Sequence, residues 1–173
     1  ERRRGGGRTF DQLPRPLLIN TVELNSGMQV FWGLPGLRQA RVADAVFASC
    51  ALPGIFPPRE IDGRWFVDGA VTENMPVQIA AAQGEGPVMA VDVGATSALR
   101  SNVQHDGFAA TYIRGLEIVM QTMMESRLRH WTAPPLVLVH PRVEHVSLFA
   151  FGHNRELIEE GYRATADLLA QQH

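Results

Sequence analysis

The sequence has no lysine: every one of its sixteen Lys and Arg residues is an arginine. Schiff-base catalysis, pyridoxal phosphate attachment, the phosphate-binding P-loop and serine–lysine dyads all require an amine. Arginine cannot replace lysine in these sites, because the guanidinium does not lose its proton near neutral pH. The composition therefore excludes these four chemistries.

Cysteine and long apolar runs are also scarce. Cys50 is the single cysteine, so no internal disulfide can form, and this usage fits a reducing, cytoplasmic compartment. The longest apolar run, AVFASCALPGIF, contains Pro53 and is shorter than the roughly 18 residues that indicate a membrane span. The sequence thus predicts a protein that could contact a membrane only at its surface.

Binding of nucleic acid or metal is not expected either. The net charge is −2, without a basic surplus or an alternation of basic and aromatic residues. His140, Glu144 and His145 lie close together, but they do not form a His-Glu-x-x-His motif, and one cysteine cannot build a thiolate site. We therefore expect no metal and no cofactor.

A serine nucleophile is missing as well. None of the serines stands in the Gly-x-Ser-x-Gly elbow, which exposes the nucleophile on a tight strand-to-helix turn; they are Ser26, Ser49, Ser97, Ser101, Ser126 and Ser147. From its residues alone, the chain holds no complete catalytic set.

What the chain does have is the composition of a globular domain, with 45% hydrophobic and 20% charged residues. Residues 1–10 predict a flexible Gly- and Arg-rich segment, and residues 11–173 a single domain. Two β-hairpins are expected, one around Asn25-Ser26-Gly27 and one around Asp62-Gly63. Between them, Val42, Val46 and Phe47 have helical spacing and predict a buried helix that would also bury Cys50.

The second half alternates strands and helices. PVMAVDVG and PPLVLVHP predict strands that are covered on both faces, because both are almost continuously apolar. A long helix is expected from about Phe108 to His130, and a closing helix over NRELIEEGYRATADLLAQ. This pattern predicts an α/β fold with a mostly parallel sheet flanked by helices.

Asp68 is the candidate functional residue, in the stretch RWFVDGA. An Asp-Gly pair is usually a turn and nothing more. Here the acid follows a strand directly, and active groups of open α/β sheets gather beyond strand ends. Gly69 allows another group to approach the backbone closely, and Asp62-Gly63 already supplies a hairpin turn. Asp68 is therefore either a turn residue or a general base whose partner is missing.

The block ASCALPGIFPP together with Asp68-Gly69-Ala70 resembles the patatin-like phospholipase family, especially bacterial members related to neuropathy target esterase. The similarity extends over nearly the whole chain from about Arg8. It implies a three-layer α/β/α fold and a lipid acyl hydrolase with a serine–aspartate dyad, which needs no histidine. Asp68 matches the dyad aspartate, the proton acceptor, and Gly69 and Ala70 complete its Asp-Gly-Ala motif.

The resemblance covers only the C-terminal half of the catalytic domain. The family's oxyanion loop and serine elbow belong to an N-terminal half, so we expect a fragment that is inactive alone and needs that half as its partner. Without it, the exposed sheet edge would favour self-association. The alternative is a non-catalytic remnant of the fold that acts as an interaction module.

The loop from Leu52 to Pro58 is the candidate substrate-binding segment. Its three prolines restrict its shape, and Leu52 and Phe56 offer apolar surface. We expect Leu52 or Phe56 to border an acyl-chain pocket for the lipid or acyl-ester substrate, and plain core packing is the alternative.

Overall fold

The computed structural model describes residues 7–84, 86–94, 107–143, 146 and 151–171. These residues form two compact units, and the boundary lies between Asn74 and Met75. The first unit contains one α-helix and four strands: β1 (Ile19–Glu23), β2 (Gln29–Trp32), α1 (Val42–Ser49), β3 (Arg59–Ile61) and β4 (Arg64–Asp68). The second contains α2 (Val77–Ala81), β5 (Val88–Val91), α3 (Gly107–Arg129), β6 (Leu136–Val139) and α4 (Asn154–Ala170).

Both predicted hairpins of the first unit are confirmed. In the β1–β2 turn, Gly27 has a φ of 70°, and the Glu23 carboxylate accepts hydrogen bonds from the backbone N–H groups of Asn25 and Ser26. In the β3–β4 turn, Asp62 and Gly63 have φ angles of 49° and 76°. Two successive positive φ values match the right-handed twist of the flanking strands, which explains the choice of Asp-Gly.

The sheet of the first unit has the order β2-β1-β4-β3, and all its pairs are antiparallel. The expectation of a mostly parallel sheet is wrong for these strands. Short hairpin turns make the β1–β2 and β3–β4 pairs antiparallel, and β4 also pairs with β1 in the antiparallel direction. In the second unit β5 and β6 pair in parallel, with α3 in the chain between them. The described fold is therefore mixed α/β, with one small antiparallel and one small parallel sheet.

The core of the first unit lies between α1 and this sheet, and its buried residues are Phe10, Trp32, Ala45, Ala48, Ile61 and Phe66. The Trp32 and Phe66 rings meet edge to face, with centroids 5.0 Å apart. The Trp32 indole N–H donates to the buried Thr21 hydroxyl at 2.8 Å. Residues 1–6 lie outside the described part of the chain, whereas Phe10, assigned to the flexible segment, is packed in this core.

Helix α1 forms where the sequence predicts it, but with a different inner face. Val46 and Phe47 are exposed, and Ala45 and Ala48 are buried instead. Small side chains let the helix approach the sheet closely, where Trp32 and Phe66 already fill the space between the layers. Cys50, expected to be buried after the helix, is exposed too.

The second unit matches the predicted helices closely. Helix α3 runs from Gly107 to Arg129 and α4 from Asn154 to Ala170. Strand β5 differs: Val88 and Ala90 are buried, but Met89 and Val91 are exposed, so the prediction of a strand covered on both faces is wrong for β5. Of the helices in the described residues, none is long and apolar enough to cross a membrane.

Candidate active site

Asp68 is the last residue of β4, and its backbone is held from two directions. It pairs with Thr21 of β1, and its N–H donates to the carbonyl of the buried Ala51 at 3.1 Å. Because β4 is antiparallel to both neighbours, the strand-end rule for parallel sheets does not apply to it. The position of Asp68 is fixed instead by β1 and by the loop that follows α1.

The Asp68 carboxylate is half-buried and caps a short turn. Its Oδ1 accepts a hydrogen bond from the Ala70 N–H at 2.9 Å, at the start of the 3-10 turn Gly69–Val71. Among the described residues, Ala70 supplies the one hydrogen bond to this carboxylate. Asp68 is thus a turn residue, as the simpler interpretation has it, and it still has an oxygen that can accept a proton.

The protonation of Asp68 is shifted toward the neutral acid. Burial raises the pKa of this carboxyl, and the Ala70 hydrogen bond lowers it by less. Burial acts this way because a charged carboxylate loses hydration inside the protein. A raised pKa makes Asp68 a stronger proton acceptor than an ordinary aspartate.

The close packing of Gly69 against β1 leaves no room for a side chain at this position. A Cβ atom on Gly69 would lie 2.4 Å from Cγ of Asn20 and 2.7 Å from the Asn20 backbone carbonyl carbon. The group that approaches the glycine backbone, as the Asp-Gly pair suggested, is therefore a residue of β1. No larger residue fits beside Asp68 unless β1 moves.

The predicted substrate-binding loop is linked to Asp68 through Ala51. The Leu52 carbonyl accepts hydrogen bonds from the N–H groups of Ile55 and Phe56, at 3.1 and 3.0 Å, which closes the loop into a compact turn. Leu52 is half-buried, whereas the Phe56 side chain is 48% exposed. Packing in the core therefore does not explain why a phenylalanine stands at position 56.

Two residues around Gly69 were not identified from the sequence. Asn20 donates from Nδ2 to the Glu73 carbonyl at 2.8 Å, and Glu73 is itself buried, with 7% of its surface exposed. A sequence signal for Asn20 existed, since asparagine is depleted in β-strands and is here the second residue of β1, directly after the apolar run 17–19. Nothing in the local sequence indicates its distant partner.

The histidine cluster considered for metal binding is only partly described. His140 follows β6, and its Nδ1 lies 3.4 Å from a carboxylate oxygen of the buried Asp92 in the second unit. Glu144 and His145 lie outside the described residues. Across the described ranges, no three His, Cys, Asp or Glu residues come close enough to hold a metal ion.

The segment around Asp68 is similar to a known protein family. A family profile described as Patatin-like phospholipase matches residues 31–81, which include Asp68 and the loop 52–58. An uncharacterised NTE family protein of Mycobacterium bovis is 30% identical over 91 residues, which make up 53% of this chain and 15% of that protein.

Two proteins named lysophospholipase NTE1 are also similar to the chain. The protein of Yarrowia lipolytica is 31% identical over 100 residues, or 58% of this chain and 7% of that protein. The protein of Mycosarcoma maydis is 25% identical over 174 aligned positions, or 89% of this chain and 9% of that protein. The aligned chain therefore spans a small part of each of these relatives.

Proposed function

We propose that this chain supplies the proton-accepting aspartate of a lipid acyl hydrolase, because its residues 31–81 match the profile of the patatin-like phospholipase family. Asp68 is the acceptor, and Gly69 and Ala70 form the turn that orients it. The observation that carries the proposal is a half-buried carboxylate with a raised pKa and one hydrogen bond to Ala70, inside the matched segment. The substrates would be phospholipids, lysophospholipids or simpler acyl esters, in keeping with the names of two relatives.

In the proposed mechanism, a serine hydroxyl attacks the acyl carbonyl and gives its proton to Asp68. The alcohol leaves with that proton, and an acyl-enzyme remains. Water then attacks the acyl group and gives a proton to Asp68, and Asp68 passes this proton to the serine oxygen as the bond to the acyl group breaks and the fatty acid departs. The serine and the oxyanion loop would come from protein outside these 173 residues, and no metal or cofactor takes part.

The proposal is tested with a joined protein. In this protein, the polypeptide encoded directly upstream, with its Gly-x-Ser-x-Gly serine, is linked to the N-terminus of the 173-residue chain. The joined protein should hydrolyse p-nitrophenyl butyrate, and substitution of that serine by alanine should abolish the activity. The 173-residue chain alone should be inactive. Absence of such a serine from the coding sequence, or an inactive joined protein, would favour the interaction module.

The exposed Phe56 gives a prediction about substrate choice. We expect Phe56→Ala in the joined protein to reduce kcat/KM for p-nitrophenyl palmitate more than for the butyrate, because the long chain loses an apolar contact of about 1–3 kcal/mol. Trp65→Ala is the matched control, since Trp65 is an aromatic residue exposed to a similar extent, 43%. Equal losses on both esters would rule out Phe56 as part of the acyl-chain pocket.

The exposed face of β5 gives a prediction about partners. Met89, Val91 and the following Val93 expose apolar side chains in a row, which water solvates poorly. We propose that the N-terminal half of the domain covers this surface, and that the 173-residue chain self-associates without it. Sedimentation velocity should show oligomers of the 173-residue chain and a monomer of the joined protein. A stable monomer of the short chain would contradict this.

A further inference from the structure

We propose that Asn20 is a positioning residue for Asp68. It holds the turn from Gly69 to Glu73 against β1, and this turn carries the Ala70 N–H that orients the Asp68 carboxylate. The inference rests on the proposed role of Asp68 as proton acceptor. Nothing in the catalytic motif itself points to Asn20, which lies 53 residues before its hydrogen-bond partner Glu73.

The Asn20 side chain touches both ends of the turn. A Cβ atom on Gly69 would lie only 2.4 Å from Cγ of Asn20, so Asn20 packs directly on the start of the turn. Its Nδ2 donates to the Glu73 carbonyl at 2.8 Å, at the end of the turn. One side chain on a central strand therefore fixes where the turn begins and where it ends.

A second amide fixes the orientation of Asn20. Gln29 on β2 donates from Nε2 to Oδ1 of Asn20 at 3.1 Å and to Oε2 of Glu73 at 3.0 Å. Because Oδ1 of Asn20 is used as an acceptor, its Nδ2 must face the Glu73 carbonyl. Residues of β1 and β2 together therefore fix the orientation of the amide group that donates to the turn.

The turn is closed internally at Gly69. The Gly69 carbonyl accepts from the N–H groups of Thr72 and Glu73, at 3.1 and 2.9 Å. These bonds make residues 69–73 a compact unit, so loss of its attachment at Glu73 should affect the whole turn. The Ala70 N–H would then hold the carboxylate less well, and the pKa of Asp68 would rise because that hydrogen bond lowers it.

The test uses Asn20→Leu in the joined protein, a substitution that keeps the branching of the side chain and its neutral charge but removes both the amide donor and the amide acceptor. Hydrogen exchange of the backbone amides of residues 69–73, followed by mass spectrometry, should become faster. The acid limb of the kcat–pH profile should move to higher pH, and kcat should fall by about 10- to 100-fold with KM unchanged, since displacement of a reacting group has effects of this size. A purely packing role for Asn20 could change stability and exchange, but it would leave the acid limb of the pH profile in place.

Gln39→Leu is the matched control, because it removes an exposed hydrogen bond to Asp11 within the same unit. It should leave exchange and the pH profile unchanged. If Asn20→Leu does not fold, Gln29→Met is tested in its place, because it removes the group that orients Asn20. Faster exchange of residues 69–73 and a smaller shift of the acid limb to higher pH would then support the proposal. Unchanged exchange in whichever variant folds, or an equal effect of Gln39→Leu, would overturn it. Exchange reports on the turn even if Asp68 proves not to be catalytic, so the two proposals can fail separately.

Discussion

Asp68→Asn should lower kcat of the joined protein on p-nitrophenyl butyrate by at least about 100-fold, the lower end of what a general base contributes. Asparagine has the same shape, and its side-chain oxygen can still accept the Ala70 hydrogen bond. It cannot take a proton from a serine hydroxyl. Near-normal turnover of this variant would show that the role assigned to Asp68 is wrong.

Asp62→Asn is the matched control for this substitution. Asp62 is also an aspartate before a glycine, but it is exposed in the β3–β4 turn, and asparagine tolerates its φ of 49°. This variant should keep full activity. If both substitutions reduced activity equally, the loss would reflect a general effect of charge removal in this unit.

The pH dependence of Asp68 separates loss of chemistry from loss of fold. Activity requires the carboxylate, so it should fall as the pH drops through a pKa that burial has raised from the ordinary aspartate value. A group whose pKa is raised in the folded state destabilises the fold progressively as the pH rises from the unfolded pKa through the folded one. Asp68→Asn should therefore be more stable than the wild type at pH 7, with the difference disappearing in acid.

The features that the sequence predicted well are those set by neighbouring residues. Asn25-Ser26-Gly27 and Asp62-Gly63 specify their hairpins, because the required φ values are available to these residues at little cost. The helix boundaries of α3 and α4 follow from patterns over several turns of one element. Asp68 was singled out because the strand, the acid and the glycine are adjacent in the chain, and its catalytic role stays a prediction.

The features that the sequence did not predict depend on which residues meet after folding. Helix α1 buries Ala45 and Ala48 because large rings from the sheet occupy the space beneath it. Periodicity cannot report the size of a partner on another element. Asn20 was missed for the same reason, since its partners come from β2 and from the turn after β4.

Gly69→Ala gives the largest expected loss of stability at the site. The new methyl would lie 2.4 Å from Asn20 Cγ and 2.7 Å from its backbone carbonyl carbon. The side chain could rotate away only by breaking its bond to Glu73, and the β1 backbone is held by strands on both sides. We expect the free energy of unfolding to fall by about 1–3 kcal/mol, as for other overpacked sites.

Urea denaturation of the joined protein measures this effect, with Gly7→Ala as the control. A Cβ on Gly7, in the same unit, would lie 3.9 Å from Cδ of Arg41, and this is an ordinary contact. Gly7→Ala should therefore leave the denaturation midpoint almost unchanged. Gly69→Ala should also lose activity under conditions where it is still folded, because the methyl displaces the turn that carries the Ala70 N–H. A Gly69→Ala protein with wild-type stability and activity would mean that β1 does not press on this turn, and the role of Asn20 would fail with it.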